Sequence, residues 1–263
     1  MRVLFIGDVV AHPGKRIMKK KLTAIKKDRS IDICVVNAEN AAGGMGINAQ
    51  TAKELFSDGA DILTMGNHTY SCSDYYRIAD VEPMIVRPGN VSPTWKGNDV
   101  AIVDLKEKGK LLVANIMGQV NMAPCDSPFH YVDRMLPIWK DQYHPTNILI
   151  DFHAEATAEK IAFGYYCDGR VSLVLGTHTH VQTADERVLE RGTGYITDVG
   201  MTGTYEGVIG MNIEASLRRF VDRLPTKYDS ADGKARICGI IAECNSQNGK
   251  CISLERIEIN DEE

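Results

Sequence analysis

The sequence predicts an α/β fold in one domain, on the grounds of its length, its composition and a repeated order of elements. The chain has 263 residues, of which 44% are hydrophobic and 25% are charged, as in a globular protein with a substantial core. Three times in succession, an apolar run is followed by a polar loop and a helical pattern. This order favours parallel strands with crossover helices, and the composition excludes a disordered, collagen-like or disulfide-rich chain.

The individual elements follow from hydrophobic periodicity and from the positions of glycine and proline. In the first half, strands are predicted at residues 3–6, 31–36 and 61–65, a helix after a Pro13-Gly14 turn to about residue 27, and a helix at 48–57. In the second half, a hairpin is predicted at 101–105 and 111–116, strands at 147–150, 171–175 and 195–197, a helix through residue 159, and antiparallel edge strands at 237–242 and 250–259. We expect a single domain over residues 1–263, with an irregular cap-like insertion at about 117–143 that is rich in Pro, Asp and Met.

Charge and cysteine content limit the partners and the compartment. With 30 Lys and Arg against 35 Asp and Glu, the formal net charge is −5. This balance argues against binding of duplex nucleic acid, because phosphate neutralisation needs a basic surface. The seven cysteines are an odd number without a C-x-x-C pair, and the sequence has no recognisable secretory or membrane-spanning segment. We therefore expect free thiols, a cytoplasmic location and no membrane partner.

Side chains that can bind a metal follow five predicted strands in turn, where ligands bind in α/β sheets. They are Asp8, then Glu39 and Asn40, then Asn67 and His68, then His153, and finally His178 and His180. Taken singly, a strand-end Asp or Asn commonly caps a helix, and a lone His is more commonly a core or surface residue. However, four of the seven histidines follow strands of what is predicted to be one sheet. The group therefore indicates a metal site.

The number and type of these side chains indicate two metal ions. A single catalytic zinc takes about three protein ligands, and the predicted set is more than twice as large. A carboxylate that bridges two ions about 3.5–4 Å apart would use the whole set. Nitrogen and oxygen ligands without thiolate favour iron, manganese or zinc. Such centres bind phosphate oxygens and activate water, so the predicted chemistry is hydrolysis of a phosphoester.

Five segments together resemble the calcineurin-like metallophosphoesterases and, more narrowly, the bacterial YmdB family. They are Gly7-Asp8, Asn37-Ala38-Glu39-Asn40, Gly66-Asn67-His68, Asp151-Phe152-His153 and Gly176-Thr177-His178-Thr179-His180. The resemblance spans essentially the whole chain. It implies a four-layer α/β/β/α sandwich with mixed sheets and phosphodiesterase action on 2′,3′-cyclic nucleotides. It also implies a role in RNA metabolism or regulation and a homo-oligomeric assembly.

The resemblance also implies a role for each site residue. Asp8, Glu39, Asn40 and His180 would hold the first metal ion, Asn67, His153 and His178 the second, and Glu39 would bridge the two. The sequence departs from the broader superfamily in two places, because Val10 replaces the usual first histidine and Glu39 replaces the usual bridging aspartate. The oxygen-rich first site is compatible with iron or manganese, and we expect two divalent or trivalent ions per chain, iron before manganese or zinc.

His68 follows a predicted ligand but is needed by neither metal ion. The resemblance makes it the general acid that protonates the leaving ribose oxygen after attack by a metal-bridging hydroxide. The alternative is a hydrogen bond from His68 to the phosphate. Arg87 could contact the phosphate or the base, and a structural ion pair is an equal alternative.

Other residues carry weaker hypotheses. Thr177, Thr179 and Asp185 are expected to orient imidazoles. Tyr70, Tyr75 and Tyr76 could stack on a nucleobase, although helix packing is the favoured interpretation. Met122, Phe129, Trp139 and Met211 are taken as exposed apolar residues of a cap or subunit interface. For function as a whole, the alternatives are hydrolysis of another phosphoester and, less favoured, a regulatory scaffold.

Overall fold

The computed structural model describes residues 1–227 and 229–262, and in this part of the chain it shows a mixed α/β fold with two sheets and six α-helices. The helices are α1 (Ala11–Asp28), α2 (Ala49–Asp58), α3 (Tyr75–Ile78), α4 (Pro128–Tyr143), α5 (Thr157–Cys167) and α6 (Ile213–Val221). None of these helices is both long and apolar enough to cross a lipid bilayer.

Fourteen strands form the two sheets in the described residues. In chain order they are β1 (Arg2–Ile6), β2 (Asp8–Val9), β3 (Ile33–Asn37), β4 (Ile62–Thr64), β5 (Ile85–Val86), β6 (Val100–Asp104), β7 (Lys110–Met117), β8 (Asn147–His153), β9 (Leu173–Thr177), β10 (Arg187–Val188), β11 (Gly194–Ile196), β12 (Met201–Thr204), β13 (Ala235–Cys244) and β14 (Cys251–Asn260). The first sheet has the order β2-β12-β13-β1-β3-β4-β5, with β14 paired to β13. The second has the order β10-β11-β9-β8-β7-β6.

Each sheet contains a run of parallel strands, as the repeated strand–loop–helix order predicts. In the first sheet β1, β3, β4 and β5 are parallel. In the second sheet β7, β8, β9 and β11 are parallel. The predicted hairpin is confirmed, because β6 and β7 pair in antiparallel register. All strands of a parallel run present their carboxyl ends at the same edge of the sheet.

Three apolar clusters account for most of the core. One contains residues of both sheets, including Phe5 and Val35 of the first and Leu149 and Leu173 of the second. The other two clusters join the first sheet to α1 and α2, and the second sheet to α4 and α5. Burial of these apolar residues is what holds the sheets and helices together.

Residues 128–143 differ from the irregular cap that the sequence predicts. They form helix α4, whose Val132, Leu136 and Trp139 recur at helical spacing and are buried in the cluster over the second sheet. Pro128 starts the helix, where a missing N–H is tolerated. Pro137 lies inside the helix, and this unusual position hid the helical pattern. Trp139 and Met211 are buried rather than exposed, and Met122 and Phe129 are partly buried.

Two further predictions about the fold need correction. The last two strands pair in antiparallel register as predicted, and β14 lies at an edge, but β13 does not, because β1 and β12 pair along its other side. Pro13 and Gly14 do not form a turn but belong to the first turn of α1. A Cβ on Gly14 would lie 2.4 Å from the Thr202 carbonyl oxygen, so the glycine allows α1 to pack closely against β12.

We predict that Trp139→Ala lowers the free energy of unfolding by about 3–5 kcal/mol, because it removes a buried aromatic ring and leaves a cavity. Ile138 is the adjacent residue and is 45% exposed, so Ile138→Ala serves as the control, with an expected change of about 0.5 kcal/mol or less. Urea unfolding followed by circular dichroism measures both. Equal losses in the two variants would contradict the placement of α4 in the core.

Candidate metal centre

The metal-competent residues lie at the carboxyl edges of both sheets, and not along one sheet as the sequence analysis assumes. Glu39, Asn40 and Asn67 follow strands of the first sheet, whereas His153 ends β8 and His178 follows β9 in the second. Apolar periodicity identifies strands but not their partners, so β8 and β9 could not be assigned to a separate sheet. The two edges meet, and the predicted side chains therefore still come together.

Buried hydrogen bonds join the two edges. Asn37, the last residue of β3, donates through Nδ2 to Asp151 Oδ2 of β8 at 3.0 Å and to the Met65 carbonyl at 3.1 Å. Asp151 Oδ1 accepts from the Thr177 hydroxyl of β9 at 2.6 Å. Asn37, Asp151 and Thr177 are all fully buried, so these bonds fix the distance between the sheets without competition from water.

Glu39, His153 and His178 form a group that could hold a metal ion, because their ligand atoms all lie within 4.8 Å of one another. His153 Nε2 is 3.2 Å from Glu39 Oε1 and 3.0 Å from His178 Nδ1. It is also 2.8 Å from Asn67 Oδ1. Two imidazole nitrogens, a carboxylate oxygen and an amide oxygen thus meet at one point, and these are ligand types of transition metals.

Neighbouring groups determine which nitrogen of each imidazole faces this point. His153 Nδ1 is 2.8 Å from the Thr177 hydroxyl, whose own hydrogen is donated to Asp151, so Nδ1–H must be the donor. His178 Nε2 is 3.2 Å from Glu155 Oε2, which accepts its N–H. Nε2 of His153 and Nδ1 of His178 therefore face each other and the Glu39 carboxylate. Such partners fix the orientation of metal-binding imidazoles in proteins.

The protonation states of the group are set by burial and by mutual attraction. Burial alone would raise the pKa of Glu39 and lower that of His153, but the attraction between them reverses both effects. The pKa of Glu39 falls to about 2 and that of His153 rises to about 9. Burial and the nearby His153 lower the pKa of His178 to about 3. Glu39 is thus an anion at neutral pH, and a positive charge is favoured beside it.

A second group, consisting of Asp8, Asn40 and His180, adjoins Glu39. Asn40 Nδ2 lies 3.2 Å from both Glu39 Oε1 and His180 Nε2, and a half-turn of the amide presents Oδ1 instead. His180 Nδ1 is 2.9 Å from the Ile209 carbonyl, to which it donates, so the lone pair of Nε2 faces the group.

Asp8 supplies the observation that most directly points to a bound cation. Its side chain is fully buried, and burial raises its pKa to about 6. Oδ2 accepts the backbone N–H of His178 at 3.2 Å, but Oδ1 has no hydrogen-bond partner among the described residues. A buried acceptor without a donor typically costs about 1–3 kcal/mol, so the residues present fit a bound metal ion.

Gly66 allows the two edges to approach. A Cβ at this position would lie 2.4 Å from Glu39 Oε2 and 2.5 Å from the ring of His153. His178 and His180 have backbone φ angles of 102° and 66°, in the left-handed region that non-glycine residues rarely adopt. The close approach and the unusual backbone both occur at residues that the sequence analysis assigns to the site.

His68 lies next to the candidate metal ligands, but they do not enclose its side chain. Its backbone N–H donates to Glu39 Oε2 at 2.8 Å, and its Nδ1 is 3.2 Å from the Ser71 hydroxyl. The side chain is partly exposed. A hydrogen bond at Nδ1 leaves Nε2 free to face solvent or a substrate.

Some predicted residues have other roles. Arg87 is buried and donates to the carbonyls of Lys96 at 3.1 Å and Pro88 at 2.7 Å, and it has no hydrogen bond or ion pair with a candidate ligand within residues 1–227 and 229–262. Asp185 accepts from Thr183 and Thr197 instead of orienting an imidazole. Among the three threonine and aspartate residues expected to orient imidazoles, Thr177 does contact one.

The tyrosines after His68 pack together with a tryptophan. The ring of Tyr70 lies 5.3 Å from that of Tyr75 and 4.7 Å from that of Trp95, both edge-on. Tyr75 is fully buried, whereas Tyr76 and Trp95 are about half exposed. Packing is therefore the role that the contacts show, and the exposed faces of Tyr76 and Trp95 stay available to a flat ligand.

Sequence reasoning missed a buried ion pair that supports the histidine-bearing loop after β9. Lys160 Nζ on α5 lies 2.6 Å from Asp198 Oδ2 and 2.7 Å from the Thr177 carbonyl, and both side chains are essentially inaccessible. Asp198 also accepts the backbone N–H groups of Thr179 at 3.0 Å and Gly200 at 2.9 Å. A lysine on a helix resembles a surface residue in sequence, so only its helical position relative to Phe163 could have suggested burial.

We predict that Lys160→Met lowers the free energy of unfolding by about 3–5 kcal/mol, because it leaves the Asp198 carboxylate buried without its counter-ion. Lys96→Met is the control, because Lys96 pairs with Asp80 at a site where both side chains are 54% exposed. The loss in this control should be several-fold smaller. Urea unfolding measures both, and a Lys160→Met protein as stable as the control would contradict the argument.

Comparison with known proteins identifies the family of the chain. Residues 4–257 match the family model described as YmdB-like protein. The chain is 43% identical over 263 residues to the 2′,3′-cyclic-nucleotide 2′-phosphodiesterase of Bacillus subtilis (strain 168), covering 100% of this chain and 98% of the relative. A crystal structure of a hypothetical protein from Thermus thermophilus is 39% identical, with a TM-score of 0.92 and 99% of each chain covered.

A second solved structure, of a novel phosphatase from Mycoplasma pneumoniae, is 32% identical and also has a TM-score of 0.92. It covers 99% of this chain and 93% of its own. These matches extend over nearly the whole sequence, and the family model spans all the predicted ligands from Asp8 to His180. The chain therefore belongs to the YmdB-like protein family.

Proposed function

We propose that the chain is a metal-dependent phosphodiesterase that hydrolyses 2′,3′-cyclic nucleotides. The observation that carries the proposal is the convergence of His153 Nε2, His178 Nδ1, Glu39 Oε1 and Asn67 Oδ1. The name of the Bacillus subtilis relative, at 43% identity over its length, supports the choice of substrate. The same centre suits other phosphoesters, and hydrolysis of one of these is the alternative.

Two ions would be held by residues on either side of Glu39. Asn67, His153 and His178 would bind one ion, and Asp8, Asn40 and His180 the other, with Glu39 shared. The buried Oδ1 of Asp8, which lacks a donor among the described residues, supports the second of these sites. Because the donors are oxygen and nitrogen atoms, iron is our first choice, with manganese or zinc as alternatives. When bound, such ions neutralise phosphate charge, activate water and stabilise the attacking and leaving oxygens.

The chain's own residues would then position the substrate and move a proton. Glu39 Oε2 accepts the His68 N–H, which places that imidazole next to the shared carboxylate. Protonated His68 would donate from Nε2 to the ribose oxygen as its bond to phosphorus breaks, while Ser71 holds Nδ1. A ribose alkoxide is a poor leaving group, so this proton transfer should matter for a cyclic nucleotide.

We also propose a layer arrangement for the fold and a cellular location for the enzyme. The core clusters support the four-layer α/β/β/α sandwich of calcineurin-like metallophosphoesterases in a single domain. The seven cysteines are free, which suits a reducing cytoplasm. A regulatory scaffold without activity is less favoured, because every candidate ligand and the candidate acid are present.

We predict that His68→Ala retains bound metal but loses about 10²–10⁴-fold in kcat on 2′,3′-cAMP. On bis-p-nitrophenyl phosphate the loss should be much smaller, since p-nitrophenolate leaves without protonation. His12→Ala is the matched control, because His12 is exposed on α1. Steady-state kinetics on both substrates, with metal content by mass spectrometry, make the test. Equal losses on the two substrates would contradict the general-acid role.

The substrate and metal parts of the proposal are tested on the unaltered protein. We expect close to two metal ions per active chain and loss of turnover after chelation, with recovery when iron or manganese is added back. Among 2′,3′-cAMP, 3′,5′-cAMP and a phosphomonoester, 2′,3′-cAMP should have the highest kcat/KM. Fewer than two ions in fully active protein would overturn the dinuclear site, and preference for another ester would overturn the substrate.

We also propose that the chain self-associates through helix α6. Ile213, Leu217, Phe220 and Val221 lie along one face of this helix and are 51%, 54%, 69% and 72% exposed. A contiguous exposed apolar face on a helix is typical of an interface. Glu214 and Arg218 flank the face, so two antiparallel copies would bring opposite charges together.

We predict that Phe220→Glu converts an oligomer into a smaller species, because it places a charge in the apolar face. Tyr165→Glu on α5 is the control, since Tyr165 is 60% exposed outside this face. Light scattering coupled to size exclusion, over a range of protein concentrations, measures the mass. A monomeric wild-type chain, or a Phe220→Glu chain of unchanged mass, would exclude α6 as the interface.

A further inference from the structure

A basic surface cavity lies at the opposite end of the second sheet from the metal centre. It has a volume of about 370 Å³, within the range of small-molecule sites. Ile148 lies near the start of β8, and Ser172 directly precedes β9, so the cavity is at the amino edge of the strands whose carboxyl ends lead to His153 and His178. The two sites are thus separated by the length of β8, roughly 20 Å for seven residues.

All the charged residues that line this cavity are cations. They are Lys140, Arg170, Arg191 and Lys250. Arg170 is paired with Asp133 at 2.6 Å. The side chains of the other three have no ion pair with any residue in 1–227 or 229–262. Three cations without an ion pair around one cavity contrast with the formal charge of −5 for the whole chain.

Helix dipoles alone do not account for these cations. The carboxyl ends of α4 and α5 lie near the cavity, and each carries about half a negative charge that favours a nearby cation. Together the two helix ends carry about one negative charge, which balances about one of the three unpaired cations. Asp168 lies beneath, but it is buried and accepts the backbone N–H groups of Arg191 at 2.9 Å and Thr193 at 3.2 Å. The lining therefore stays positive after both contributions are counted.

Close packing against glycine holds two of the cations over the cavity. A Cβ on Gly169 would lie 2.8 Å from Arg191 Cβ, and one on Gly192 would lie 2.9 Å from Lys250 Cδ. The stems of Arg191 and Lys250 thus rest on these two turns, which lowers the entropy lost when their charged ends bind a ligand. Ile148 and Val171 also border the cavity, but both are nearly fully buried in the core over the second sheet.

The cavity also has polar groups beyond the cations. Thr146 and Ser172 line it, together with the amides of Gln247 and Asn248. The Ser172 hydroxyl already donates to Asn147 Oδ1 and accepts the Ile148 N–H, so the remaining donors are Thr146 and the two amides. Hydroxyls, amides and guanidinium groups are the donors that bind phosphate oxygens.

We propose that this cavity binds a small phosphate-bearing anion at a site separate from the metal centre. Arg191 and Lys250 contact the phosphate oxygens, and Lys140 adds long-range attraction. The inference is independent of the reaction assigned to the metal centre, because it uses residues from the opposite edge of the sheet.

The test is titration calorimetry of the metal-loaded protein with ADP, with adenosine as the uncharged comparison. We expect saturable ADP binding that weakens as NaCl is raised, and no binding of adenosine. R191Q/K250Q should weaken ADP binding at least tenfold while leaving phosphodiesterase kinetics unchanged. The control is K27Q/K227Q, which removes two cations from elsewhere on the surface and should leave the Kd unaltered.

Three results would overturn the proposal. The first is the absence of saturable ADP binding by the unaltered protein. The second is an unchanged Kd in R191Q/K250Q. The third is binding that disappears in His178→Ala but persists in R191Q/K250Q, which would place the ligand at the metal centre. Circular dichroism of R191Q/K250Q establishes that the variant is folded, and pyrophosphate competition that displaces ADP supports recognition through phosphate.

Discussion

The hydrogen bonds through the buried Asp151 carboxylate are the constraint on which the site depends. Asp151 lies in β8, accepts from Asn37 of the first sheet, and accepts from Thr177 of β9. Thr177 in turn accepts from His153. One carboxylate thus fixes the separation of the sheets, the register of β8 with β9 and the orientation of a candidate ligand. Because Asp151 is fully buried, loss of any of these partners would leave an unpaired polar group in the core.

The buried Lys160–Asp198 ion pair supports the loop that follows β9. The Thr177 carbonyl accepts from Lys160, and the Thr179 N–H donates to Asp198. The segment that carries His178 is therefore held at both ends by groups that are not themselves ligands. A buried ion pair of this kind contributes little net stability compared with apolar packing, but it specifies one conformation of the loop.

Much of the site could be predicted because parallel strands present their carboxyl ends together. That rule brought Glu39, Asn67 and His153 into one group even though they belong to two sheets. The division into sheets was beyond the sequence, since periodicity shows which residues are buried and not which strand lies beside another. Helix α4 was missed because Pro137 interrupts its pattern.

The supporting side chains were also hard to predict. Glu155 lies two residues after the end of β8 and contacts His178. Nothing in its sequence position distinguishes it from a surface acid.

The left-handed backbone of His178 and His180 has a consequence for the loop that carries them. Such conformations cost about 1–3 kcal/mol each and persist only where the surrounding fold imposes them. Here the fold imposes them through Asp198, Glu155 and the Ile209 carbonyl, all of which are protein groups. The shape of the loop is therefore set by the surrounding fold and not by the local conformational preference of its residues.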